Sequence, residues 1–327
     1  MAWSSLQVRA GGGRSKLLQA VSDQDRLLEG FCEDCRLRGM SDESVSRYRS
    51  ILRMFLTFLG ERNVRADRID PHILRDFLRY LKFERGAKHK TMENYFSALS
   101  AFYDYLAFEG LTGRNPILPF RRRYLKRYKD FDDPERKLLT VEEMSRFVNS
   151  ILDPRDKAIA VLLAKTGIRR GELLRIDVDD IDWDDYSIIL KPTRKRSNRR
   201  VFFDDECAMV LRRWLRVREK LKPRSRALFI SYNTLGRLTR NGVYNAIVKY
   251  AERLGFHNPD SPRLEDHFSP HCFRHWFTTW LLRNGMPREY VKELRGDKRR
   301  EAIDIYHHID EQELRRTYLA CIPKLGV

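Results

Sequence analysis

The chain has 327 residues, with 64 Lys or Arg against 46 Asp or Glu and a formal charge of +18. At 42% hydrophobic and 34% charged residues it can fill real cores, and its length suits two domains of roughly 100 to 200 residues, so overall disorder is excluded. Its apolar runs, such as Ala158 to Ala164, fall far short of the roughly 20 residues a bilayer span requires, which excludes a membrane protein.

The eighteen excess positive charges point to a polyanionic partner, because binding phosphates releases condensed counterions and drives association. Nucleic acid is the first expectation. Five cysteines, at 32, 35, 207, 272 and 321, give no paired framework, and residues 1–22 carry no signal-peptide pattern. A reducing cytoplasm follows as the expected compartment.

Residues 1–22, with Gly11-Gly12-Gly13, read as a flexible lead-in. Helical blocks fill 23–115. After Ser41, the residues Val45, Tyr48, Leu52, Phe55 and Leu59 form one apolar stripe, with Arg47, Arg49 and Arg53 opposite. Asp70-Pro71 opens a second helix through Leu74, Leu78 and Leu81, with Asp as N-cap and Pro at the first helical position. A third follows Lys88 to Thr91 and buries Tyr95, Leu99, Phe102 and Leu106. Lys88, Lys90 and Asn94 near its start are candidate DNA-backbone contacts.

Residues 116–137 lose periodicity and read as a basic linker, where Arg121, Arg122 and Arg123 are further candidates. A second domain spans 138–327. Thr140 and Glu143 have capping-box spacing, and 186–190 and 200–203 are β-favouring runs that predict a long hairpin or a three-stranded edge. Helical periodicity returns at Val210. The fold class is mainly α with a small β-sheet.

Four features of this domain carry chemistry. In Thr166 to Leu173 (TGIRRGEL), Arg169 and Glu172 share a helix face, so the carboxylate can hold the guanidinium. In Ser269 to Trp276, Ser269 caps and Pro270 starts a helix, which places His271 and Arg274 three apart where an anion is favoured. Tyr306 can be a nucleophile if cations stabilise its phenolate. Lys191 and Lys195 on the hairpin can each supply a proton.

Two arginines, a histidine, a hairpin lysine and a late tyrosine in this order resemble the tyrosine recombinase (phage-type integrase) family, Xer-like in organisation, over nearly the whole chain. TGIRRGEL resembles its first-arginine box and His271-Cys272-Phe273-Arg274-His275 its second. The resemblance implies an N-terminal helical core-binding domain, SAM-like, and a C-terminal catalytic domain. It implies that Arg169 and Arg274 clamp a scissile phosphate, that His271 and Lys195 move protons, with Lys191 in reserve, and that Tyr306 forms a 3'-phosphotyrosyl link. Asp297 stands nine residues before Tyr306, where the family usually has His or Trp; an ionised Asp there is expected to brace a cation such as Arg274 or His271. The Arg295-Gly296-Asp297 box and compact length resemble archaeal members.

The implied reaction needs no cofactor and no metal, and the implied partners are double-stranded DNA carrying a recombination site and further copies of the chain in a tetrameric synapse, in a nucleoid-associated setting. The segment from Asp310 to Ile322 is expected to form a helix that docks on a neighbouring protomer. The competing readings are a type IB topoisomerase-like enzyme and a DNA-binding regulator or decayed integrase.

Overall fold

The computed structural model describes residues 12–126, 137–192, 199–297 and 309–327, with side chains described from 24 onward. The chain divides into two compact units, Met1–Phe131 and Asp132–Val327. No helix among the described residues is long and apolar enough to cross a membrane.

The first unit is all-helical: α1 Gly12–Leu37, α2 Asp42–Gly60, α3 Pro71–Arg79 continued by a π-helical turn Tyr80–Glu84, α4 His89–Phe108 and α5 Ile117–Tyr124. Its helix starts follow the sequence chemistry. The Ser41 hydroxyl accepts from the Ser44 N–H, and the Asp70 carboxylate accepts from the His72 and Ile73 N–H groups at 2.8 and 2.9 Å. The core is aromatic, with Phe55 and Phe77 packed edge-on at 4.9 Å and Phe31 and Phe102 at 5.5 Å. Buried Tyr103 donates its hydroxyl to the Ala66 carbonyl at 2.7 Å, and burial pushes its pKa upward.

Two expected boundaries move. The backbone is helical from Gly12, so the flexible lead-in expected over 1–22 is a helix in its second half; Leu17 to Val21 contains no breaker to prevent α1 from extending. The linker expected at 116–137 begins with α5, where Ile117 and Phe120 are buried and Phe120 stacks on Phe96 at 5.2 Å. Tertiary packing orders this short basic stretch against its weak periodicity.

The second unit contains α6 Val141–Asn149, α7 Pro154–Thr166, α8 Arg170–Leu173, β1 Ile181–Asp182, β2 Ser187–Leu190, β3 Arg199–Phe202, α9 Asp205–Lys220, α10 Arg240–Arg253, α11 Pro270–Arg283, α12 Arg288–Arg295 and α13 Glu311–Cys321. The three strands are antiparallel in the order β1-β2-β3, with Ile188 opposite both Ile181 and Val201. Helix α7 is the hub. It is buried without interruption from Ala158 to Thr166 and packs against α6, α9, α10 and α11, which explains its lack of an amphipathic stripe.

Near the end of α7, fully buried Lys165 donates to Asp204 Oδ2, Glu206 Oε2 and the Pro323 carbonyl at 2.7, 2.6 and 2.7 Å. A buried ammonium is tolerated only with such a complete set of acceptors. Those acceptors fasten the start of α9 and the C-terminal segment to the hub.

The C-terminal helix forms where expected, capped by Asp310, and its apolar face packs within its own unit. Leu314, Tyr318, Cys321 and Ile322 are buried against Phe277, Leu281, Met286 and Leu294 of the same unit. The Tyr318 hydroxyl donates to the Lys165 carbonyl at 2.7 Å, and Leu325 enters the main core. An apolar stripe shows that a helix buries one face but not which surface receives it.

Tyr318→Ala should therefore destabilise the protein by about 3 to 5 kcal/mol, the range for large-to-small aromatic truncation in a core. Urea unfolding measures this. A loss below about 1 kcal/mol would mean that α13 is not part of its own unit's core.

Candidate active site

Gly167 ends α7 in the left-handed region, φ 59°. A Cβ there would collide with the Phe277 ring, so both the turn and the close approach of α11 require glycine. Two residues later Arg169 sits at the N-cap of α8. Its backbone N–H donates to Glu172 Oε2 at 2.7 Å, and its guanidinium donates to the Arg295 carbonyl at 3.2 Å and stands 3.5 Å from Asp297 Oδ1.

Glu172 is buried, and burial alone would raise its pKa. The opposing effect wins: Arg199 at the start of β3 binds both carboxylate oxygens at 2.9 Å, and the net shift is downward. Arg199 Nε also donates to the Leu294 carbonyl at 3.1 Å. One guanidinium thus joins β3, α8 and the end of α12.

Arg274 comes from α11, whose start is set by Ser269 and Pro270. Its side chain is only 5% exposed. Nη1 donates to the Gly167 carbonyl at 2.9 Å, while Nη2 donates to the Arg295 carbonyl at 2.8 Å and to Asp297 Oδ1 at 3.1 Å. Burial first, then repulsion from Arg169 and Arg295, pushes its pKa down to about 9, against the pull of Asp297 and Glu172. It remains cationic at pH 7, and an arriving phosphate would supply counter-charge.

Gly296, with φ 59°, terminates α12 and turns the chain so that the Arg295 carbonyl and the Asp297 carboxylate face the two arginines. Asp297 also pairs through Oδ2 with Arg295 Nε at 3.1 Å. Three guanidinium groups therefore surround one carboxylate.

His271 is exposed in the first turn of α11, its ring 4.9 Å from that of His275. A cavity of about 370 Å3 brings it together with Arg169, Arg170, Arg240, Tyr244 and Arg274. Lys191 points elsewhere: Asp177 and Asp180 hold it at 2.5 and 2.9 Å, and their pull outweighs burial to raise its pKa, which makes it a poorer proton donor. Lys195 and Tyr306 lie outside the described residues.

In the first unit, Lys88, Lys90 and Asn94 are exposed around the first turn of α4, with Lys90 paired to Glu93 at 2.9 Å. Arg121, Arg122 and Arg123 lie on α5, where Arg121 donates to Ser97 of α4 at 3.1 Å. Sequence reasoning missed Arg199, Arg240 and Tyr244. Arg199 carried one usable signal, a basic residue opening the strand that follows the hairpin.

Residues 137–313 match the phage integrase family, and residues 28–110 match the N-terminal SAM-like domain of phage integrases. The chain is 31% identical over 296 residues to tyrosine recombinase XerC of Alcanivorax borkumensis, covering 88% of this chain and 90% of that one. It is 28% identical over 299 residues to tyrosine recombinase XerD of Listeria monocytogenes, covering 88% and 95%. In fold it is similar to the Tn1549 transposon integrase in complex with circular intermediate DNA, with a TM-score of 0.67 at 18% identity over 90% of this chain and 98% of that one. It is likewise similar to a lambda integrase dimer bound to a core site, with a TM-score of 0.65 at 16% identity over 88% and 97%.

The Arg199–Glu172 pair yields a sharp expectation. Arg199→Met strands a buried carboxylate and should cost about 3 to 5 kcal/mol at pH 7, whereas adding Glu172→Leu should recover most of the loss. Because Glu172 is held below its ordinary value of 4.5, its stabilising contribution is present above that pH and disappears as pH falls through its folded pKa. The penalty of Arg199→Met should accordingly shrink below about pH 4.5. Urea unfolding at pH 7 and pH 4 measures both effects, and an undiminished penalty in the double variant would show that Arg199 acts through something other than this carboxylate.

Proposed function

The chain belongs to the phage integrase family and is a site-specific tyrosine recombinase, a DNA breaking and rejoining enzyme; we propose on that premise that Arg169 and Arg274 clamp the scissile phosphate while Tyr306 attacks it. The observation that carries this reading is the convergence of Arg169 and Arg274 on the Arg295 carbonyl and Asp297, beside a cavity that also holds His271.

Attack on a phosphodiester concentrates negative charge on the two non-bridging oxygens. Fixed donors stabilise that charge, each contributing on the order of 100 to 1000-fold in rate. A guanidinium has five N–H donors, and Arg274 commits three to protein acceptors, which leaves two for phosphate. Arg169, whose side chain is 31% exposed, is the more accessible partner.

In the proposed step the Tyr306 oxygen forms a bond to phosphorus as the bond to the 5' oxygen breaks. The phenol proton passes to a base, with His271 assisting, and the departing 5' oxygen takes a proton from Lys195. A 3'-phosphotyrosyl link and a free 5' hydroxyl result. Attack by the 5' hydroxyl of a partner strand reverses the step and restores the tyrosine, so the diester energy is conserved and no ATP is consumed. Four copies on two duplexes would complete an exchange. In a cytoplasmic setting the chromosome is the accessible substrate.

Asp297 is assigned to orienting the guanidinium groups, since a carboxylate touching the phosphate would repel it. Lys88, Lys90, Asn94 and Arg121 to Arg123 are assigned to backbone contacts by the first unit.

Tyr306→Phe should bind DNA normally and form no SDS-resistant adduct with a nicked suicide duplex; an adduct persisting in that variant, or moving to Tyr290 or Tyr318, would remove the assignment. For the carboxylate, Asp297→Asn should slow cleavage modestly and Asp297→Ala more, both well short of the roughly 100-fold loss expected for Arg169→Ala. Equal losses for Asp297→Ala and Arg169→Ala in folded protein would place Asp297 among the groups that act on the phosphate directly. Binding should weaken roughly 1000-fold or more between 50 and 200 mM salt if 6 to 10 phosphates are neutralised, and a flat response would contradict that contact count.

A further inference from the structure

Several arginines of the second unit pair with carboxylates, as in Arg155–Asp156, Arg200–Asp182 and Arg237–Asp177. The C-terminal half of α9 instead gathers on one face cations that have no such partner among the described residues. Arg212, Arg213, Arg216 and Lys220 are exposed, and at 100° per residue they fall within one narrow face of the helix. Lys222 and Arg224 follow in the next loop, also exposed, and among the described residues none of these six has an ion-pair partner. On the same face Asp205 is engaged by Lys324, which leaves Glu219 as the nearby acid.

This concentration of charge is not explained by helix stability. Cations favour a helix C-terminus only within its last turn, which here covers Arg218 and Lys220 but not Arg212, Arg213 or Arg216. The like charges repel one another, and repulsion from Arg213 adds to burial in lowering the pKa of Lys157 on the adjoining α7. Arg212 is pre-oriented, its guanidinium 4.9 Å from the Trp183 ring centroid.

The stripe is also remote from the arginine cluster. Lys165 at the end of α7 meets Asp204 at the start of α9, so the two helices run in opposite directions. At the other end of α7, Asp153 accepts from Tyr232, whose ring packs against Trp214 in the middle of α9. The stripe therefore lies toward the start of α7, while Gly167 and Arg274 meet at its finish, a separation of about 20 Å along 13 helical residues.

We propose that Arg212, Arg213, Arg216 and Lys220 form a second duplex-DNA surface, which engages phosphates outside the segment held at the arginine cluster. The proposal rests on the reading of that cluster as the cleavage site. DNA is the occupant because the enzyme already acts on it and because a row of exposed, unpaired cations along about 12 Å of helix offers a charge-complementary edge to a phosphate backbone.

The test compares full-length protein with the quadruple variant Arg212→Gln, Arg213→Gln, Arg216→Gln, Lys220→Gln, and with a triple variant that retains Arg212 and its aromatic contact. Binding by fluorescence anisotropy is measured on a duplex just long enough for the cleaved site and on the same duplex extended at both ends. The variants should bind the extended duplex about tenfold or more weakly, with the slope of log affinity against log salt reduced by about 3 to 4, at roughly 0.9 per lost phosphate contact. Binding and covalent capture on the short duplex should be unchanged.

If extension has no effect but a second, unlinked duplex binds the wild type and not the variants, the contacted DNA is a separate molecule and the surface stands. An unchanged salt slope on all long DNA, equal losses on short and extended duplexes, or loss of binding only to phosphatidylglycerol vesicles or RNA would overturn it. Failure of the wild type to capture the short duplex would instead count against the cleavage reading.

Discussion

Burying the guanidinium of Arg274 is the constraint on which the catalytic unit is organised. Desolvating a cation costs several kcal/mol unless acceptors replace the lost water. The fold supplies three: the Gly167 carbonyl at the end of α7, the Arg295 carbonyl at the end of α12, and Asp297 just beyond it. Each depends on a local device. Gly167 and Gly296 adopt left-handed backbone that other residues rarely tolerate, and each lies so close to a neighbour, Phe277 or Arg199, that a methyl group would collide. The arginine is pre-ordered before any DNA arrives, so little reorganisation remains at the moment of reaction.

The same helix that presents Gly167 also carries Lys165 two residues earlier. That lysine gathers Asp204, Glu206 and the Pro323 carbonyl, and its own carbonyl accepts from Tyr318. Packing of the C-terminal helix and alignment of the arginine cluster are thus anchored within one turn of α7. Damage to the C-terminal segment should be felt at the active site through this helix and through the packing of α13 on Phe277 and Leu294.

Elements with both a cap and a stripe were legible in the sequence. Ser41, Asp70 and Thr140 mark helix starts that the structure contains, because each satisfies free N–H groups at a fixed distance from an apolar repeat, and Ser269-Pro270 marks another through the proline at the first helical position. Helix α5 was not legible, since its order comes from Phe120 stacking on Phe96, a contact 24 residues away in the chain. In the site, local spacing pairs His271 with Arg274 and Arg169 with Glu172, while bringing the two arginine boxes together and adding Asp297 came from the family resemblance. Arg199 and Arg240 could not be singled out, being two of 64 basic residues whose partners are decided only by folding. The C-terminal helix was legible from its Asp310 cap and its apolar stripe.

Charge neutralisation at the scissile phosphate is the central claim, and removing the charge from the substrate tests it most directly. A suicide duplex carrying a methylphosphonate at the cleaved position presents a neutral phosphorus centre, with one non-bridging oxygen replaced by a methyl group. If Arg274 serves to neutralise that oxygen, Arg274→Ala should slow cleavage of the normal diester by about 100-fold or more yet slow the methylphosphonate far less. An equal penalty on both substrates would contradict the account and reduce Arg274 to a structural part of the unit that holds it.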